Sequence, residues 1–123
     1  MYMVVGLFLL ECHIFGDIRG RFMEKDSKIE LEAAVFRRFV DHLQKHTEVQ
    51  NIDLMILADF CRNCLAKWYS EAAMEKGMEI DYEQARTMIY GMPYKEWKDK
   101  FQNEASPEQL AAYQQKQQAK QNL

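Results

Sequence analysis

An excess of charge of one sign is missing from this chain: 16 Lys and Arg stand against 19 Asp and Glu, for a net charge of -3. A nucleic-acid binder draws its affinity from neutralising phosphates, so this balance gives no footprint for one, and no local basic patch stands out. Missing too is any stretch near the roughly 20 consecutive apolar residues that a membrane-spanning helix needs. Cysteine is scarce and odd in number, three in all. That argues against a disulfide framework and for reduced thiols in the cytosol. No segment alternates apolar and polar residues as a half-buried strand would, and no internal repeat is present.

What remains is bulk and helical periodicity. With 123 residues, 48% of them apolar, and seven Phe, six Tyr, two Trp and eight Met, the chain can build one core. A domain of this size keeps only a thin margin of stability. The stretch from Gln50 to Trp68 carries the longest apolar-periodic run and the only close cysteine pair. Leu54, Leu57, Cys61, Cys64, Leu65, Trp68 and Ala72 fall at steps of three and four, the period of a helix with one buried face. The expected fold is therefore all-α, a compact bundle of about five helices around one long central helix running to about Lys76, with Gly77 as its cap.

The helix before it is expected to open at Ser27-Lys-Ile-Glu30, which fits a capping box, and to end near His46. Leu31, Val35, Phe39, His42 and Leu43 form its inner stripe, widened by Phe36 and Val40. Thr47 or Asn51 is expected to cap the central helix. Asp81 opens a helix over Tyr82 to Tyr90 that Gly91 ends, Pro93 starts the next, and Ser106-Pro107 starts the last. Residues 27–113 are thus expected to be a single helical domain, with the Gln- and Lys-rich residues 114–123 fraying. Residues 1–22 lie outside that core. The apolar run Met1 to Leu10 lacks the basic leader and cleavage site of a secretory signal. The expectation is that these residues precede a start at Met23, which would remove Cys12 from the count; an extension packed on the body is the alternative, and a cleaved signal the third.

Three constellations could carry chemistry. Cys61 and Cys64 form a Cys-x-x-Cys pair. Redox motifs of that spacing place the first cysteine at a helix N-terminus, where dipole and free amides favour the thiolate. On the expected central helix the pair sits at least two turns inside, so it reads first as packed core thiols. His42 and His46 supply residue types that with the two cysteines suit zinc, or iron, but a hairpin of the two helices leaves Cys61 about 7 Å beyond His42 along the axis, so a site of His42, Cys61 and Cys64 needs an asymmetric turn. Gln50, Asn51 and Asp53, with His42 nearby and Asn63 farther along, make a polar group that could receive an anion or polar ligand, but it reads first as caps and ties of the turn. No oxyanion donor completes a Cys-His-Asn nucleophile, and no catalytic constellation stands above these structural readings. The aromatic set Trp68, Tyr69, Tyr90, Tyr94, Trp97 and Phe101 reads as core, with a surplus that favours a self-association surface.

The segments His42-Leu43, Val49-Gln-Asn-Ile-Asp-Leu-Met55, Phe60-Cys-Arg-Asn-Cys-Leu65 with Lys67-Trp-Tyr69, and Tyr90-Gly-Met-Pro-Tyr94 with Glu96-Trp-Lys98 occur in order. Together, over about Ala33 to Pro107, they resemble the signature of a family of short bacterial proteins, the domain of unknown function DUF1244. The resemblance implies an all-α bacterial protein of about a hundred residues. It implies no activity. The expected protein is cytosolic and helical, a binding or structural module that forms a homo-oligomer, without nucleic-acid or membrane partners; the alternative is a metal-binding or thiol-redox protein using Cys61, Cys64 and His42.

Overall fold

Six helices and no strand make up the described residues, which are 17–122 for the backbone and 24–122 for the side chains, in a computed structural model of the chain. They are α1 (Asp17–Lys45), α2 (Asn51–Ala58), α3 (Arg62–Glu75), α4 (Tyr82–Tyr90), α5 (Tyr94–Phe101) and α6 (Pro107–Gln121). The fold is all-α as expected. The expectations for Met1 to Leu10 and for Cys12 fall outside the described residues.

The main departure lies between α2 and α3. The single central helix expected over residues 50–76 is two helices, because Asp59 adopts a left-handed conformation (φ 62°, ψ 29°) and ends the first. Asp is among the few non-glycine residues that visit this region routinely, because its short polar side chain bonds locally. The Asp59 amide closes the turn on the Met55 carbonyl at 3.1 Å. From α6, Lys116 Nζ donates to the Ile56 carbonyl at 2.6 Å and Lys120 pairs with the Asp59 carboxylate. Both cations sit at the carbonyl end of α2, where the helix dipole favours them. Cys61 then turns extended (φ -145°) and becomes the N-cap of α3. Neither Gly nor Pro marks this break, and the apolar spacing continues across it.

Several helix ends follow the sequence closely. At the end of α3, Met78 N–H bonds to Ala73 O at 2.8 Å and Gly77 N–H to Met74 O at 3.0 Å, with Gly77 at φ 72°. That is the paired pattern of a Schellman cap. Asp81 with Gln84, and Ser106 with Gln109, form complete capping boxes for α4 and α6. Gly91 closes α4 at φ 76°, and Gln44 of α1 donates to the Met88 and Ile89 carbonyls at 3.2 and 3.1 Å. By contrast the Ser27–Glu30 capping box is unused: Ser27 lies inside α1, since nothing from Asp17 onward breaks the helix. Gln50 rather than Thr47 or Asn51 is the N-cap of α2, and Asn51 is its first residue. Residues 114–121, expected to fray, are helical and anchored on α2 through Lys116 and Lys120.

The chain divides into two compact units between Phe39 and Val40, inside the range expected to be one domain. The described part of the first unit is α1 up to Phe39. Leu31 and Val35, expected to face inward, are 67% and 68% exposed, and Phe39 is 36% exposed. In the second unit α3 packs on α4, α4 on α5, and α2 on α6. Ala66, Ala85 and Ile89 are fully buried where α3 meets α4. Trp97 of α5 fills the centre, with Tyr90 and Phe101 rings 4.9 and 5.9 Å from it. Tyr90, Trp97 and Phe101 thus meet the expectation for the aromatic set, but Trp68 stands out in solvent. Among the described residues no helix is long and apolar enough to cross a membrane.

Candidate functional site

The break at Asp59 changes the chemistry available to the cysteines. Cys61 is the N-cap of α3 and Cys64 its third residue, where the expectation put both two turns inside a helix. The pair now occupies the position that redox motifs of this spacing use, at the positive end of a helix with free amides. Both are free thiols, with their sulfurs 3.8 Å apart, within reach of bond formation by rotation of one side chain. Cys61 is buried and Cys64 half-buried. As a neutral thiol Cys61 makes no capping hydrogen bond. Burial pushes its pKa up, against the pull of the Cys64 and Asn63 amides, which would hold a thiolate.

The two residues between the cysteines fasten this turn to the rest of the unit. Arg62 is 1% exposed. Its Nη1 donates to Val49 O at 2.8 Å and to Asn51 Oδ1 at 3.0 Å. Its Nη2 donates to His46 O at 2.8 Å and reaches Leu43 O at 3.5 Å. The guanidinium also lies 4.9 Å from the centre of the Trp97 ring. These carbonyls belong to the end of α1 and the turn into α2, so one side chain supplies donors that the helix end lacks. Burial lowers the Arg62 pKa. Asn63 accepts from the Tyr90 hydroxyl at 2.7 Å, and Tyr90 accepts from Asn51 Nδ2 at 2.9 Å. Desolvation raises the Tyr90 pKa, so the phenol stays protonated and can donate. The spacing of Arg62 and Asn63 inside a Cys-x-x-Cys motif gave no sign of this; a buried arginine needs partners that only the fold supplies.

The other candidates are distributed differently. Asn51 and Asn63 do meet, at Tyr90, but Gln50 and Asp53 turn elsewhere. Gln50 donates to Phe101 O at 3.0 Å and accepts from the Asn103 amide at 2.9 Å. Asp53 accepts from Gln109 Nε2 at 2.8 Å. All four expected pocket residues are therefore engaged by the protein itself, as ties between α2 and α3, α4, α5 and α6. His42 is exposed on α1 with its ring 4.2 Å from that of His46, whose Nδ1 lies 2.9 Å from Glu48. Among the described residues no group of three or more His, Cys, Asp or Glu is placed to hold a metal ion, so His42 does not join the two cysteines. Burial raises the Tyr82 pKa.

No curated protein matches the chain. A family model does, over residues 49–115, which take in the cysteine turn, Asn51, Tyr90 and Trp97 and make up more than half of the 123 residues. The chain belongs to the family described as protein of unknown function DUF1244.

Proposed function

We propose that the chain is a thiol–disulfide protein, in which Cys61 and Cys64 cycle between a dithiol and an intramolecular disulfide. The observation that carries this is the position of the pair, N-cap and third residue of α3, with sulfurs in contact at 3.8 Å. Arg62 and Asn63 add to it by holding the turn from both inner positions, so that closing the bond needs side-chain rotation and little backbone movement. Among the described residues no third donor stands beside the two sulfurs to complete a metal site. The test is a redox titration of the folded full-length chain with Cys12→Ser, counting free thiols against the ratio of reduced to oxidised dithiothreitol. A reversible loss of two thiols together, without loss of helix, is the expected result. Two thiols that persist under all conditions until the protein unfolds would reject it.

A second reading rests on a separate observation, the exposed pair Leu31 and Val35 four residues apart on α1. Exposed apolar side chains one turn apart favour association, and a second copy of the same face is a partner always present. Sedimentation at micromolar concentration tests this: Val35→Glu should convert an assembled species to monomer. A wild-type monomer would reject it.

A further inference from the structure

We infer that Cys64 is the thiol that attacks an incoming disulfide, that Cys61 resolves the mixed disulfide, and that exposed Trp68 receives an apolar side chain of a peptide substrate. The inference rests on the dithiol reading above and assigns the roles and substrate class within it.

The geometry of α3 separates the two sulfurs. Its buried residues Arg62, Leu65, Ala66 and Ala73 define the inner face. At 3.6 residues per turn Cys64, Lys67, Trp68 and Glu71 fall on the opposite side. Cys64 is the half-buried thiol of the pair, whereas Cys61 is buried at the N-cap. A bulky disulfide can reach only the former. One turn along from Cys64, Trp68 is 54% exposed, while the chain's other tryptophan, Trp97, is 1% exposed. Residues four apart on a helix are neighbours, so the indole stands beside the attacking sulfur. Lys67 and Glu71 flank it with opposite charges, both exposed, and give no net preference for a charged substrate. An exposed indole next to a thiol suits an apolar side chain flanking a peptide disulfide.

The chemistry balances as a thiol–disulfide exchange. Cys64 gives its proton to solvent, and its sulfur forms a bond to one sulfur of the substrate while the substrate S–S bond breaks. The first substrate thiolate leaves and takes up a proton. Cys61 then loses its proton, its thiolate facing the Asn63 and Cys64 amides, and attacks the Cys64 sulfur. The second substrate thiol departs and is protonated in turn. Two electrons pass from the dithiol to the substrate disulfide, which is reduced while Cys61 and Cys64 are oxidised.

The test uses the full chain with Cys12→Ser and two probes: a peptide with one disulfide flanked by leucine and phenylalanine, and oxidised glutathione. Cys61→Ser should accumulate a mixed disulfide at Cys64, because the resolving thiol is gone. Cys64→Ser should react at least about tenfold more slowly with both probes, the cost of confining attack to a buried thiol. Trp68→Ala should slow the peptide about tenfold, the order of one lost apolar contact, and leave the glutathione rate unchanged. Circular dichroism of each variant establishes that it is folded, and Cys64→Ala repeats the second arm with a different side chain. Equal rates for Cys61→Ser and Cys64→Ser would overturn the assignment of roles, and equal effects of Trp68→Ala on both probes would overturn the substrate class. A wild-type chain that keeps both thiols with either probe would instead reject the underlying dithiol reading, and these roles with it.

Discussion

Removal of Arg62 is costly, because its buried guanidinium bonds the carbonyls at the end of α1 and the turn into α2. Arg62→Met keeps much of the aliphatic stem but leaves Val49 O, His46 O and Asn51 Oδ1 without the donors that now stand 2.8 to 3.0 Å away. A buried acceptor stripped of its partner costs about 1–3 kcal/mol. Only Val49 O loses its donor outright, since His46 O keeps the Val49 amide at 3.2 Å and Asn51 Oδ1 the amide of residue 62 at 3.4 Å. With the charge-assisted bonds lost at the other two, and part returned by no longer desolvating a guanidinium, we expect a net loss of about 3 kcal/mol. That is a large share of the roughly 5–15 kcal/mol by which such proteins are stable. Arg62→Lys keeps a charge but not the planar fork that serves four acceptors, and should lose about 2 kcal/mol. Urea unfolding followed by helix signal measures both. A loss under about 1 kcal/mol for Arg62→Met would mean that these bonds contribute no more than water would, and would refute the account of the turn.

Three further outcomes follow from other parts of the chain. Gly77→Ala and Gly91→Ala both force a side chain into φ above 70°, costing about 1–2 kcal/mol, but only at Gly91 would the new Cβ meet a neighbour, Gln44 at 3.0 Å. Gly91→Ala should therefore be the more destabilising in thermal unfolding; equal losses would show that Gln44 yields freely. Cys61 and Tyr90 both have folded pKa values raised above their ordinary 9 and 10, so the folded state holds protons that the unfolded chain releases. Their contribution is complete at neutral pH and is lost as pH climbs above about 9, so urea midpoints should fall from there upward; a flat profile to pH 11 would count against their burial. Asp81→Ala and Ser106→Ala should each cost about 1 kcal/mol through loss of a capping bond, read by the same urea series.

The helix ends were legible wherever a residue with a local mechanism marked them. Gly77, Asp81, Gly91 and Ser106-Pro107 act through their own backbone or side chain within a few residues, and the structure uses each as the sequence implies. The break at Asp59 was hidden because its causes are distant: Lys116 and Lys120 arrive from α6, some sixty residues away, while the apolar period runs on undisturbed. That one break changes what Cys61 can do, since the same motif is inert inside a helix and placed for thiol chemistry at its start. The role of Arg62 is hidden from the sequence for a related reason. Its partners are backbone carbonyls of a turn, which leave no mark in the side-chain sequence. The opposite error occurred in α1, where Leu31 and Val35 have the spacing of a buried stripe yet lie exposed. Periodicity shows that a face is apolar, and only the fold shows whether this chain covers it.

The central claim is that the native fold already holds Cys61 and Cys64 ready to join. The most direct measurement is the rate at which a disulfide oxidant converts the two thiols to one bond, taken across the urea unfolding transition in the Cys12→Ser chain. Closure should be fastest in the folded chain and should slow as α3 melts and the sulfurs leave contact. A bond that forms only once urea has unfolded the protein would contradict it, and would make the cysteines packing residues at the start of α3.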